Sequence, residues 1–242
     1  MRCLVVLAAP EAIVLAGGFG TRLRNVLSDL PKPLAPVNGR PFIAYLLDAL
    51  AGHGVRHTVL ATGYLAEKVE RALGDDWSGM RLSYSVEEHP LGTGGAVRLA
   101  ATATAGGPLL VLNGDTYLEF DAAAFSAAMR AADAELGVAL ATVPDAARYG
   151  AVSVAAGRVV AFGEKAGHGP GQINAGVYYL APSVLAALPA DGAFSLETAV
   201  LAPAAAAGRL HAYSDTAGFI DIGIPEDYAR AQQLAKNWRA AQ

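Results

Sequence analysis

Apolar residues along the chain follow two rhythms. In the first half, short unbroken apolar runs alternate with stretches in which apolar residues recur every three or four positions. Residues 12–16 predict a buried strand. Behind Pro41, which suits a first helical turn, Phe42, Ile43, Leu46, Leu47 and Leu50 repeat with helical spacing until Gly52 and Gly54. His57–Thr62 predicts a strand, 64–73 a helix with Leu65, Val69 and Leu73 on one face, and 81–86 another strand. The loop EEHPLGTGG leads to a helix from Ala96, and 109–112 predicts a buried strand ending in the turn signal Asn113-Gly114-Asp115.

The second rhythm has fewer helices. After a helix over 121–132 come short strand candidates at 136–142, 151–154, 158–162 and 176–180, with Ala156-Gly157 as a hairpin turn. A helix is predicted over 195–207, with Pro203 in conflict near its end, and a last one opens at Pro225, with Tyr228, Leu234 and Trp238 as its apolar contacts. The pattern predicts an α/β fold: a mostly parallel sheet, helices on both faces, and a mixed C-terminal extension. No Pro/Ser/Gly linker divides the chain, so 1–242 is expected to form one domain. Ligands of such sheets sit at the carboxyl ends of the strands, where the first glycine turn, EEHPLGTGG and Asp115 would gather.

Composition narrows the function. The 242 residues are 53% hydrophobic and 17% charged, enough for a large core. A net charge of −4, with no basic stripe, argues against nucleic acid as a polymeric partner. A single cysteine, Cys3, excludes an internal disulfide and fits a reducing, cytoplasmic setting. The apolar start MRCLVVLAAP is too short for a secretion signal, and no run reaches the ~20 residues of a membrane span. His53, His57, His89, His168 and His211 show no metal-binding spacing; His89 alone falls in a candidate pocket loop.

The stretch 13–32 carries the first chemistry. A buried strand empties into Gly17, Gly18 and Gly20, whose backbone N–H groups can form an anion nest. Thr21 and Arg22 follow, and Arg22 can grip phosphate with a two-pronged donor. Lys32, between Pro31 and Pro33, is expected in a stiff extended segment. Together these read as a triphosphate grip; by itself GGFG is no more than a tight turn. A Walker loop is excluded because Thr21-Arg22, not Lys-Ser/Thr, follows Gly20. A dinucleotide fingerprint is excluded because Leu23 stands where its third glycine would be, and the second strand ends in Ala61-Thr62-Gly63 without an acid.

LAGGFGTRLR, LPKPLAPVNGRPFIAYLL, EEHPLGTGGA, NGDTY, FGEK, NAGVYYL and FIDIGIPEDY occur in one order between Ala12 and about Gln233. In this the chain resembles the sugar-1-phosphate nucleotidylyltransferases, and among their branches looks most like the D-glycero-D-manno-heptose 1-phosphate guanylyltransferases. The resemblance implies a Rossmann-like three-layer nucleotidyltransferase fold, with 12–132 as a nucleotide-binding half and 133–242 as a sugar-phosphate-binding half. It implies a reaction of GTP with a heptose 1-phosphate, giving GDP-heptose and pyrophosphate for cell-surface polysaccharide. The substrates would be the partners, with no nucleic acid or membrane, and a homo-oligomer is left open.

Residue by residue, the resemblance makes Arg22, Lys32 and Lys165 catalytic. Leu15, Ala16, Gly17, Gly18, Gly20, Thr21, Glu87, Gly92, Thr93, Asn113 and Gly114 would bind nucleotide. Glu164, Lys165, Asn174 and Gly176 would bind the sugar phosphate, Gly176 by giving it room. Asp115 and Asp221 would hold Mg²⁺, for which hard carboxylates plus phosphate oxygens are suited. Glu87 would select guanine, because a carboxylate can accept from both N1–H and the exocyclic amine; strand alternation leaves Glu88 as the alternative. Gly92 and Gly94 would let the backbone lie against the base. Other functions compete: a mannose-1-phosphate guanylyltransferase or another NDP-sugar pyrophosphorylase that uses UTP or dTTP, a non-catalytic regulatory paralogue, and a cytidylyl- or molybdopterin guanylyltransferase, in which EEHPLGTGGA and FGEK do not occur.

Overall fold

The structure, a computed structural model, describes residues 10–18, 30–163, 168–236 and 238. In chain order its elements are β1 (Glu11–Leu15), β2 (Pro36–Val37), β3 (Arg40–Pro41), α1 (Phe42–Gly52), β4 (His57–Thr62), α2 (Ala66–Leu73), β5 (Asp76–Trp77), β6 (Met80–Val86), α3 (Gly92–Ala101), β7 (Leu109–Asn113), β8 (Thr116–Glu119) and α4 (Ala122–Ala131). Then follow β9 (Leu136–Val143), β10 (Val152–Ala155), β11 (Arg158–Phe162), β12 (Gly171–Leu180), α5 (Pro182–Ala186), α6 (Ala202–Ala206), β13 (Leu210–Tyr213), β14 (Ala217–Asp221) and α7 (Pro225–Leu234).

Ten strands form one sheet in the order β10-β11-β13-β9-β12-β7-β1-β4-β6-β5. Its centre, β7-β1-β4-β6, is parallel throughout. From β7 outward the pairing is mixed: β12 runs antiparallel to both β7 and β9, while β13 runs parallel to β9. The expected α/β architecture with a mixed C-terminal extension is therefore present. Period-two alternation sends side chains into two cores. Ala12 and Val14 face one core with α1, α2, α4 and α7; Ile13 faces the other with α3, α5 and α6. The order of connection reverses at β1, flanked by β4 and β7, and in open α/β sheets that switch point opens a crevice.

The structure corrects several expectations and bears out the Ala156-Gly157 hairpin turn. Lys32–Leu34 is a 3₁₀ turn, not extended chain: Pro31 is extended, Pro33 fits the first turn, and Leu34 N–H donates to Pro31 O at 2.8 Å. Helix α3 begins at Gly92, four residues before Ala96, because packing against Phe194 stabilises a glycine-rich first turn that propensity disfavours. The 195–207 helix contains a π turn, Glu197–Leu201, and Pro203, which has no N–H to donate, falls in the first turn of α6. Strand β12 starts at Gly171, earlier than the apolar run, and carries a bulge between Asn174 and Val177. At the hairpin, Ala156 and Gly157 both have positive φ, as a tight β-turn requires. After α7, Trp238 stacks on Tyr117 at 4.0 Å and meets Tyr45 edge-on at 5.0 Å, so the C-terminal contacts are aromatic. Among the described residues no helix is long and apolar enough to cross a membrane.

Candidate active site

A cavity of about 340 Å³ opens at the carboxyl ends of β1, β4 and β7. Leu15, Ala16, Gly17, Gly18, Lys32, Glu87, Gly92, Thr93, Asn113 and Asp115 line it, with Pro33, Ala61, Pro90 and Ala96. Ten positions singled out in the sequence, spread from residue 15 to 115, thus share one wall. Gly20, Thr21, Arg22, Glu164 and Lys165 lie outside the described residues.

The acidic end of the site is built by strand pairing. Antiparallel β14 and β8 set Asp221 opposite Thr116, next to Asp115, and Ile222 N–H donates to Asp115 O at 2.9 Å. The Lys32 ammonium lies between the two carboxylates, hydrogen-bonded to Asp115 and 4.0 Å from Asp221 Oδ1. Lys32 is the most enclosed of the three, with 14% of its side chain exposed. Burial first, and the Asp115 charge second, push the Asp221 carboxyl above the usual range; Lys32 opposes this, and so does Gly223 N–H, which donates to Asp221 Oδ1 at 2.7 Å. Among the described residues no three His, Cys, Asp or Glu converge on a metal position. Two carboxylates suit a hard divalent ion whose remaining ligands are phosphate oxygens, as Mg²⁺ takes them.

Glu87 forms the opposite end. Its N–H donates to Thr62 O at 2.9 Å, which extends the β4–β6 pairing by one residue and turns the side chain toward the cavity. Glu88 is exposed and does not line the cavity, whereas Glu87 does. The carboxylate accepts Leu91 N–H at 3.1 Å and lies against Gly17 and Gly63. A Cβ at Gly63 would stand 2.9 Å from Glu87 Cγ, so glycine there makes room for Glu87.

Other glycines serve packing. Gly92 (φ +69) reaches the cavity, but a Cβ on it would stand 2.5 Å from Phe194 O, and one on Gly94 would stand 2.1 Å from the Phe194 ring. At both positions the absent Cβ makes room for close packing of α3 on the Phe194 segment, and Gly92 also lines the cavity. Gly114 does not line the cavity; its N–H donates to Leu15 O at 2.9 Å, and a Cβ would meet that oxygen at 2.6 Å. The space beside Gly176 (φ +72) is taken by Asn113, whose Nδ2 would be 2.6 Å from a Cβ there, so it is not room for a sugar. Asn113 Oδ1 is buried with no donor among the described residues, an acceptor left open at the cavity wall.

Asn174 stands apart, on the β12 bulge. Its Nδ2 donates to Tyr178 Oη at 3.1 Å and its Oδ1 accepts Gly176 N–H at 2.9 Å. Sequence reasoning missed two groups. Glu197, at the π turn, accepts from Thr93 Oγ1 and Ser195 Oγ, each at 2.8 Å. Asp227, 3% exposed, holds Arg148 and, at 3.1 Å, Arg230, which ties α7 to the loop before β10. The sequence signals of both are weak, an acid in the first turn of each helix. Their distant partners, Thr93 and Arg148, lie 104 and 79 residues away.

The nucleotidyl transferase family model matches residues 11–237. A D-glycero-α-D-manno-heptose 1-phosphate guanylyltransferase of Aneurinibacillus thermoaerophilus is 38% identical over 94% of this chain and 99% of its own length. A mannose-1-phosphate guanylyltransferase of Mycobacterium tuberculosis is 36% identical over 91% of this chain and 63% of its own length. The crystal structure of HddC from Yersinia pseudotuberculosis, complexed with GMP-PN, superposes with a TM-score of 0.81 at 34% identity, covering 93% of this chain and 98% of that one.

Proposed function

We propose that this chain, which belongs to the nucleotidyl transferase family, joins GTP to D-glycero-α-D-manno-heptose 1-phosphate and releases pyrophosphate and GDP-heptose. The observation that carries this is one cavity lined by Glu87 and by the paired Lys32 and Asp115, with Asp221 4.0 Å from the Lys32 ammonium. The heptose rests on the near-complete overlap with the heptose-phosphate relative, against 63% of the mannose-phosphate relative's length. The regulatory alternative is disfavoured because Lys32, Asp115 and Asp221 are all present and assembled.

In this reading the sugar phosphate oxygen attacks the α-phosphorus in line, and a P–O bond to pyrophosphate breaks as the new one forms. Gly17 and Gly18 supply close backbone approach to the triphosphate. Lys32 neutralises charge that develops on the phosphate oxygens. Asp115 and Asp221 would hold Mg²⁺, which supplies Lewis-acid neutralisation of the two anionic substrates. Glu87 accepts the two adjacent donors of guanine; adenine and cytosine would set a ring acceptor against it, at a cost of about 1–3 kcal/mol or more. By the family resemblance Arg22 holds the leaving pyrophosphate, Lys165 and Glu164 hold the sugar phosphate, and Asn174 bonds the sugar.

The test is pyrophosphate release with GTP, UTP, dTTP, CTP and ATP, each against heptose, mannose and glucose 1-phosphates. GTP with the heptose phosphate is expected to give the highest kcat/KM. Efficient use of mannose or glucose 1-phosphate without the heptose phosphate would overturn the sugar, and preference for UTP would overturn the base.

A further inference from the structure

Behind the cavity wall, a series of hydrogen bonds runs from α3 to the β12 bulge. Thr93 Oγ1 donates to Glu197 Oε2 at 2.8 Å, and Tyr178 Oη donates to Glu197 Oε1 at 3.4 Å. Tyr178 Oη in turn accepts from Asn174 Nδ2 at 3.1 Å, and Asn174 Oδ1 accepts Gly176 N–H at 2.9 Å. The sense of the series is set by chemistry. A carboxylate only accepts, so the single Tyr178 proton must point to Glu197, which leaves the phenol oxygen to accept from Asn174. Tyr178 is 1% exposed, and its burial together with the Glu197 charge keeps the phenol protonated. The Glu197 carboxylate, through Tyr178, and the Gly176 N–H therefore hold the Asn174 amide the same way round.

The segment leading to Glu197 is itself held. Arg98 donates to Pro189 O at 2.6 Å and lies over the Phe194 ring at 5.6 Å. Gly94 N–H donates to Phe194 O at 2.9 Å, and Leu196 N–H to Thr93 Oγ1 at 2.8 Å. Glu197 opens a π turn, a local widening that recurs at functional sites.

We propose that Glu197 is a positioning residue: through Tyr178, and together with the Gly176 N–H, it holds the hydrogen-bonding face that Asn174 shows the sugar 1-phosphate, and through Thr93 it ties that face to the nucleotide cavity. The proposal rests on the reading of Asn174 as a sugar-side contact.

The test uses the full-length enzyme with whichever nucleotide and sugar 1-phosphate pair the wild type turns over. Tyr178→Phe keeps the ring and deletes the link. The KM for sugar 1-phosphate is expected to rise about three- to tenfold, the scale of one or two neutral hydrogen bonds, with nucleotide affinity by titration within about twofold. Glu197→Gln is expected to raise the same KM, although it is nearly isosteric, because its amide N–H₂ facing Tyr178 would turn the Tyr178 proton toward Asn174 and set it against the orientation that the Gly176 N–H holds. The double variant should be no worse than the more impaired single, since both break one series. An unchanged sugar KM in both single variants would overturn the proposal, as would a loss of nucleotide affinity equal to the KM rise or additive effects in the double. A wild type that turns over no sugar 1-phosphate would overturn the functional reading, and this proposal with it; unaltered variants of an active wild type overturn the link alone.

Discussion

Replacing Lys32 with Met keeps a side chain of similar length and removes one positive charge from between two carboxylates. The ammonium is hydrogen-bonded to Asp115 and stands 4.0 Å from Asp221 Oδ1. At that separation two unit charges interact by about 1 kcal/mol in water and about 4 kcal/mol at an effective dielectric constant of ~20. Since 34% of the Asp221 side chain is exposed, the lower part of that range applies, about 1–2 kcal/mol. The same ammonium repels any divalent cation drawn to the pair. In Lys32→Met without nucleotide, Mn²⁺ is therefore expected to bind about five- to thirtyfold more tightly than in the wild type. Turnover should move the other way, with kcat/KM for the triphosphate falling about 10²–10³-fold, because a charge aimed at the developing phosphate anions is lost. Titration of free Mn²⁺ by its electron paramagnetic resonance signal gives the first quantity, and pyrophosphate release the second. Unchanged Mn²⁺ affinity with near-wild-type turnover would refute both the electrostatic reasoning and the placement of Lys32 in the site.

Three further outcomes are expected. Glu87→Gln should lose the preference for GTP and gain UTP or dTTP, and Gly63→Ala should weaken the same preference in a folded protein, because its Cβ would displace the Glu87 side chain; an unaltered nucleotide profile in both variants would remove Glu87 from the base site. Gly176→Ala should lower stability by about 1–3 kcal/mol and the melting temperature with it, since its φ of +72° and the Asn113 side chain both exclude a Cβ; calorimetry showing no change would contradict this. The His168 pKa should lie above its usual value, chiefly through the hydrogen bond to Asp145 at 2.9 Å. A folded pKa raised above the unfolded one means that the stabilisation is full below the unfolded value, near pH ~6.5, and is lost as pH rises through the folded pKa. An NMR titration in which Asp145→Asn leaves the His168 pKa in place would exclude that pairing.

Many strands were legible because each is a short run bounded by glycine or polar turns. His57–Thr62 and Arg158–Phe162 match the structure end to end, and such signals are local. The site's members were legible as residue types and motifs, and ten of them meet in one cavity. What sequence could not show is which atoms face one another. A glycine looks the same whether it clears space for a ligand, for Phe194 or for Asn113; only packing between distant segments assigned Gly94 and Gly176 to the latter two. Lys32 was expected in extended chain because local proline rules favour it, and two hydrogen bonds closed a 3₁₀ turn instead. Glu197 and Asp227 escaped notice because a carboxylate's importance lies in its partners and burial, and Thr93, Tyr178 and Arg148 are remote in sequence. Periodicity and turn chemistry are written within a dozen residues, so the sequence alone determined the α/β alternation and offered the glycine-rich stretch after the first strand as a candidate phosphate grip. Charge proximity and hydrogen-bond direction depend on strand order and register over the whole sheet, and the tertiary structure alone decided those.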